Sequence, residues 1–263
     1  MTQPLIENRL LKTLKAGETA LCLTVRISRT LHVVAIARAA GFEALYVDME
    51  HSQISFEDTS QLCLAACLAG VTPLVRVASH EHYDINRALD GGAAGIIVPH
   101  IDNAAEAKAC VDACRFPPLG KRSVAGSGAV LGYASLPAVE TMRLLNENIL
   151  VIPMLETPEA IRNADAIAAV AGIDMLLIGT NDLMAEMGIP GQLDNPKVRE
   201  AYATVAAACK RHKRFLGIGG IKGGAILGEL RAMGAQFLLA RNDETMLLDA
   251  ARQETKALHG IFK

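Results

Sequence analysis

Eight short apolar runs, separated by longer stretches of helical period, organise the chain. The runs cover residues 21–25, 44–48, 73–77, 95–99, 149–155, 175–178, 215–218 and 237–240. Each is short and apolar on both parities, the pattern of a parallel strand buried on both faces. Between them, residues 32–40, 56–69, 83–89, 104–114, 158–170, 197–212, 223–233 and 244–259 carry apolar side chains at helical spacing. Parallel strands need crossover connections, and eight β/α units close into a barrel of about 250 residues. The expectation is therefore an α/β fold, a (β/α)8 TIM barrel forming one domain over residues 1–263. Residues 5–15, with Leu5, Leu10, Leu11 and Leu14 set among charges, predict an N-terminal amphipathic helix. Gly41, Gly70, Gly172 and Gly234 stand where helices must stop and a left-handed residue can end the last turn.

Composition narrows the partners more than the fold. A chain of 263 residues, 51% hydrophobic, can bury a large core. A net charge of -2, 4% aromatics and no Trp argue against a nucleic-acid partner. Residues 1–17 are charged throughout and no run of about 18 uncharged apolar residues occurs, so no membrane partner and a cytoplasmic location are expected. The six cysteines, Cys22, Cys63, Cys67, Cys110, Cys114 and Cys209, sit mostly in Ala/Leu-rich helical context, as reduced core thiols do. The i,i+4 pairs Cys63/Cys67 and Cys110/Cys114 admit a split zinc site as the other reading.

Charged and polar residues collect where the apolar runs stop. In a barrel the carboxyl ends of all strands open on one face, where catalytic residues gather. Those ends carry Arg26; Asp48, Glu50 and His51; Arg76; His100; Glu156; Asn181 and Asp182; and Arg241, Asn242 and Asp243. Ionisable groups at the end of a buried strand call for a ligand, a metal or a partner to compensate their desolvation. Glu156 and Asp182, on neighbouring strands, offer hard oxygens to a hydrated divalent cation; Glu156 as a cap for the helix opened by Thr157-Pro158 is the alternative. The segment Gly179-Thr180-Asn181-Asp182 supplies either backbone N–H groups for a carboxylate or an ordinary N-cap. Arg76 faces either an anion in the barrel mouth or a structural ion pair with Asp48. No lysine falls inside the eight runs, which argues against a Schiff-base amine on the barrel wall and leaves Lys121 and Lys222 in loops. Residues 116–127, rich in Pro, Gly, Lys, Arg and Ser, form a long loop before an extra helix at 136–148. A loop of that length in a compact domain is usually functional.

Taken in order, six segments of this sequence resemble the HpcH/HpaI aldolase family, the class II, metal-dependent pyruvate aldolases. They are Ala40-Gly41-Phe42-Glu43-Ala44-Leu45-Tyr46-Val47-Asp48-Met49-Glu50-His51, Leu74-Val75-Arg76-Val77, Ile97-Val98-Pro99, Pro117-Pro118-Leu119-Gly120-Lys121-Arg122, Met154-Leu155-Glu156-Thr157 and Ile178-Gly179-Thr180-Asn181-Asp182-Leu183. The resemblance implies a divalent metal, Mg²⁺, Mn²⁺ or Co²⁺, on Glu156 and Asp182, with pyruvate chelating it through the keto oxygen and one carboxylate oxygen. It implies acid/base work by His51 paired with Asp48, through a metal-bound water, and steadying of the oxyanion by Arg76. Backbone amides of Gly179, Thr180, Asn181 and Asp182 would take the pyruvate carboxylate, with Glu50 in support. The implied reaction is reversible cleavage of a 4-hydroxy-2-oxo acid into pyruvate and an aldehyde through a metal-stabilised enolate. The implied assembly is a homo-oligomer, trimer or hexamer, with helix 244–259 packed on a neighbour.

Several positions depart from the commonest family pattern: Met49, Ser123, Met154, His100 and the strand-one end Val25-Arg26-Ile27-Ser28. Arg26 and His100 either help to choose the second substrate or bond to the rim's own loops. The rival functions are oxaloacetate decarboxylation, a lyase acting on a thioester, and a barrel that binds a metabolite without turning it over.

Overall fold

In the computed structural model, which describes residues 7–126, 128–221 and 223–262, eight parallel strands pair in chain order and close on themselves. They are β1 Ala20–Val25, β2 Ala44–Asp48, β3 Thr72–Arg76, β4 Gly95–Val98, β5 Leu150–Leu155, β6 Met175–Gly179, β7 Phe215–Gly219 and β8 Ala235–Asn242. Every expected run is a strand, because strands covered on both sides leave nothing but apolar side chains to read.

The helices are α1 Arg9–Lys15, α2 His32–Ala40, α3 Phe56–Ala69, α4 His82–Asp90, α5 Ala104–Cys114, α6 Ala138–Asn148, α7 Pro158–Arg162, α8 Ala164–Ala169, α9 Thr180–Glu186, α10 Pro196–His212, α11 Ile226–Ala232 and α12 Asp243–Ile261. Three differ from expectation. The helix expected over 158–170 divides at Asn163, whose side-chain amide donates to the Asp102 carbonyl at 2.7 Å. The helix expected from 223 starts at Ile226, since Gly223 and Gly224 hold φ of 113° and 101°, outside helical space. Helix α9, unforeseen, begins at the residue after β6 with no loop between. Residues 5–6 of the first expected helix lie outside the described residues. The four helix-ending glycines all have positive φ. No helix among the described residues is long and apolar enough to cross a membrane.

Two apolar layers hold the barrel. The larger lies between strands and helices; the smaller fills the interior with inward side chains such as Cys22, Tyr46, Leu74, Ile152, Leu177 and Leu239. Helix α1 closes the amino end by adding Leu10, Leu11 and Leu14 to that interior layer. It is fastened there by Leu10 N–H to Thr72 Oγ1 at 3.0 Å and by Gln236 Nε2 to the Leu14 carbonyl at 2.9 Å. All six cysteines are buried and unpaired, and burial pushes the thiols of Cys63, Cys67, Cys110 and Cys114 up.

The long loop corrects an expectation. It lies at the amino end of the barrel, away from the polar rim. Arg115, 3% exposed, binds the carbonyls of Asn146, Ile149 and Gly172 and pairs with Asp174, just ahead of β5 and β6. Arg122 is buried over the Phe116 ring and pairs with Asp90 at 2.9 Å. Lys121 goes with it, exposed beside Asp112 and far from the rim. Lys222 lies outside the described residues.

Candidate active site

Side-chain alternation along the strands builds the site. Counting in steps of two from the interior layer, Tyr46 leads to Asp48, Leu74 to Arg76, Met154 to Glu156, Leu177 to Gly179, Leu239 to Arg241, and Cys22 through Thr24 to Arg26. All of these point inward one layer above the packed interior, at the carboxyl ends. His100 is out of phase with Ile97 on β4 and reaches the rim from a left-handed backbone, φ 51°.

Asp48 and Arg76 are register partners on β2 and β3. Arg76 grips the carboxylate with a fork, Nε to Oδ1 at 2.9 Å and Nη2 to Oδ2 at 2.7 Å, and both residues are almost wholly buried. Arg26 Nε adds a third bond to Oδ2 at 2.7 Å. Burial alone would push the Asp48 carboxyl up, but the hydrogen bonds and charge of Arg76, with the charge of Arg26, hold it below the ordinary carboxylate range. Arg76 Nη1 also lies 2.7 Å from Glu50 Oε2, at an angle too bent for a hydrogen bond. The Tyr46 ring lies 5.6 Å from the guanidinium carbon.

This arrangement corrects the expected pairing of Asp48 with His51. The carboxylate meets His51 only at the backbone N–H, at 3.2 Å. Its oxygens are taken by two guanidinium groups, which are stronger donors than a neutral imidazole. The His51 ring stands half exposed at the mouth, its Nε2 3.9 Å from Glu50 Oε2.

Glu156 is 1% exposed. Oε2 accepts from the His100 backbone N–H at 3.0 Å and lies 3.3 Å from His100 Nδ1, whereas Oε1 is buried without a partner among the described residues. Burial, with the Asp182 charge adding to it, pushes the carboxyl up to about 7 despite the His100 contacts. The carboxylate packs over Gly179 so closely that a Cβ there would lie 2.6 Å from both Cγ and Oε1. A buried carboxylate with one unsatisfied oxygen next to a second acid is a donor set of hard oxygens. Glu156 and Asp182 therefore fit a hard divalent ion. Among the described residues no group of three or more His, Cys, Asp or Glu is placed to hold a metal ion together.

A cavity of about 170 Å³ opens over these groups and is lined by Arg26, His51, Arg76 and the run Gly179, Thr180, Asn181 and Asp182. Asp48 and Glu156 do not line it themselves, but touch the lining residues Arg76 and Gly179. Glu50 and His100 stand to one side, joined Oε1 to Nε2 at 3.1 Å, so His100 bridges two rim carboxylates and is absent from the cavity wall. Tyr46, Met154 and Gly220 line or floor the cavity without having been singled out for it. The signal for Tyr46 was its place two residues before Asp48. For Gly220 it was the pair Gly219-Gly220 at a strand end: its φ is 85° and a Cβ would approach Asn181 Nδ2 to 3.1 Å.

Comparison with known proteins follows the same lines. The family model for HpcH/HpaI aldolase/citrate lyase matches residues 27–218. A 4-hydroxy-4-methyl-2-oxoglutarate aldolase from Hapsidospora irregularis is 38% identical over 259 residues, covering 97% of this chain and 96% of its own. Another protein of that name, from Chaetomium globosum, is 40% identical over 248 residues, covering 93% and 92%. The crystal structure of an HpcH/HpaI aldolase from Desulfitobacterium hafniense matches with a TM-score of 0.89 at 31% identity, covering 95% and 96%.

Proposed function

The chain belongs to the HpcH/HpaI aldolase/citrate lyase family, and from that premise we propose that it is a metal-dependent pyruvate aldolase, a carbon–carbon lyase that reversibly splits a 4-hydroxy-2-oxo acid into pyruvate and a second carbonyl compound. The observation that carries the reading is the orphaned, buried Oε1 of Glu156 beside Asp182, in one mouth with the guanidinium of Arg76. A divalent cation on Glu156 and Asp182, Mg²⁺, Mn²⁺ or Co²⁺, supplies Lewis-acid stabilisation of negative charge on a keto oxygen.

The chain's own residues do the rest. Arg76, fixed by its fork on Asp48, aims a permanent positive charge into the cavity, where an oxyanion develops. Backbone N–H groups of Thr180, Asn181 and Asp182, in the first turn of α9 where no side chain caps the helix among the described residues, suit the pyruvate carboxylate. His51, half exposed at the mouth, is placed to hold and return a proton. In the cleavage direction the C4 hydroxyl loses its proton, the C3–C4 bond breaks, and its electron pair moves toward the C2 oxygen. C3 then takes a proton to become the pyruvate methyl group.

The names of two relatives favour an acceptor that is itself a 2-oxo acid: retro-aldol cleavage of 4-hydroxy-4-methyl-2-oxoglutarate gives two molecules of pyruvate. Helix α12 supports a homo-oligomer, trimer or hexamer, because it buries none of its residues and exposes Leu247, Leu258 and Ile261. The deciding experiment measures pyruvate release from 4-hydroxy-2-oxo acids and from oxaloacetate, with Mg²⁺ or Mn²⁺ and then with chelator. Faster, chelator-sensitive cleavage of the hydroxy-oxo acids is expected. Preference for oxaloacetate would make the protein a decarboxylase, and no turnover of either would leave a binding barrel.

A further inference from the structure

Arg26 keeps the end of its guanidinium unpaired among the described residues. Its backbone N–H donates to Asp243 Oδ1 at 2.9 Å, while Ser28 N–H donates to Asp243 Oδ2 at 2.8 Å, so the turn after β1 is pinned to the start of α12. Its Nε is spent on Asp48. Nη1 and Nη2 make no hydrogen bond among the described residues, and the side chain, 31% exposed against 3% for Arg76, lines the cavity. Arg241, on the adjoining strand, lines the same wall: Nη2 is held by Asp249, and Nε is buried without a partner.

The positions matter as much as the charges. In the closed order of strands, β5 and β6 stand across the barrel from β1 and β2. Glu156 and Asp182 follow β5 and β6, whereas Arg26 follows β1 and Arg241 lies near the end of β8. The wall that carries Glu156 and Asp182 thus faces the wall that carries Arg26 and Arg241, whose neighbouring acids Asp48 and Asp249 are already paired with them. A keto acid held at the acidic wall through a cation leaves the other wall to whatever it reacts with. Planar guanidinium ends with unspent N–H groups are suited to a carboxylate, and a neutral aldehyde would leave them unanswered.

We infer that Arg26, assisted by Arg241, binds the carboxylate of the acceptor, so that the protein selects 2-oxo acids over neutral aldehydes as the second carbonyl compound. This rests on the aldolase reading. Because Arg26 is held at its backbone and at Nε before any ligand arrives, little side-chain freedom remains to be lost on binding. His100, which the sequence offered as an equal candidate, has no part in it, since both of its ring nitrogens face carboxylates.

The test uses the full chain with Mn²⁺ and pyruvate, and compares kcat/KM for glyoxylate with that for acetaldehyde. The unmodified protein is expected to favour glyoxylate at least tenfold. Arg26→Gln should cut that ratio at least tenfold, chiefly through KM for glyoxylate, and Arg26→Lys should restore part of it. Arg241→Gln, an independent variant should Arg26→Gln fail to fold, should lower the ratio at least threefold. An unmodified protein with no preference overturns the inference, as does an Arg26→Gln variant that loses activity equally with both acceptors or with neither. Exchange of pyruvate methyl protons into D₂O needs no acceptor. Unmodified protein that exchanges them but shows a flat acceptor ratio defeats the clamp alone, whereas absence of exchange defeats the aldolase reading.

Discussion

Asp48 and Arg76 meet as a two-pronged ion pair sealed from solvent, with Oδ1 and Oδ2 each taking one nitrogen of the guanidinium, at 2.9 and 2.7 Å. Removing one member of such a pair leaves the other buried and poorly compensated, at a cost of about 3–5 kcal/mol. Arg26 still touches Asp48, so the lower end applies. Arg76→Met is expected to cost about 3 kcal/mol in urea unfolding and to abolish turnover. Arg76→Lys, which keeps the charge but not the fork, should retain most of the stability and lose about 100-fold in kcat. A fully active Arg76→Lys enzyme would show that charge alone suffices.

The same pair sets a pH dependence. With its folded pKa held below the ordinary value, Asp48 contributes stability that is present above about pH 4 and is lost as pH falls through the lowered value. The unfolded chain binds the proton first, so acid favours it. Urea midpoints of unmodified protein and Asp48→Asn, compared from about pH 6 to about pH 3, should fall more steeply in the unmodified protein. Parallel slopes would mean that Asp48 titrates normally.

The acids and the imidazole are separable by experiment. Calorimetric titration with Mn²⁺ should give binding to unmodified protein, little to Glu156→Gln, and near-normal binding to His51→Ala. Turnover of His51→Ala should drop by about 10²–10⁴-fold, the usual worth of a positioned acid/base group. Unchanged turnover in His51→Ala would move the proton chemistry elsewhere on the rim.

How far the sequence revealed this site depended on what kind of contact was involved. Asp48, Arg76, Glu156 and Arg26 could be placed together because barrel strands fix side-chain direction with a period of two, and an end-of-strand charge is visible in the letters. Which carboxylate bonds to which cation is settled across strands, where the letters say nothing of competition. The Asp48–Arg76 ion pair, one of the two readings open for Arg76, is the one that forms, and the pairing of Asp48 with His51 that the resemblance implies gives way to it. The loop after α5 is a similar case: its length suggests function, but Arg122 within it and Arg115 just before it answer an acid and carbonyls at the amino end that belong to other segments. Helix α9 escaped because it follows its strand without a loop or a long apolar period.

Gly179 offers a test of the metal cradle that alters no charged group. A methyl group there would come within 2.6 Å of Glu156 Cγ and Oε1 and 2.8 Å of Met154 Cε, closer than real Cβ contacts allow. Glu156 would have to shift, so Gly179→Ala should cost about 1–3 kcal/mol by overpacking and weaken Mn²⁺ binding at least tenfold. Normal affinity in a folded Gly179→Ala protein would show that Glu156 can leave its position without loss of the ion, which would argue against it as a ligand.

Helix α12 poses a problem that the single chain does not solve. It is 19 residues long and buries none of them, with contacts mainly to β1 and β8. Helices in proteins are held chiefly by packing an apolar face. The apolar side chains are present: Leu247 is 64% exposed and Ile261 73%. A contiguous exposed patch of this kind marks an interaction surface, and a second copy of the chain is the occupant that the family resemblance implies. Light scattering should therefore find an oligomer, and Leu247→Glu with Leu258→Glu should shift it toward monomer and lower the helical signal. A monomeric unmodified protein with a fully formed α12 would refute this, because the helix would then be stable with its apolar side in water.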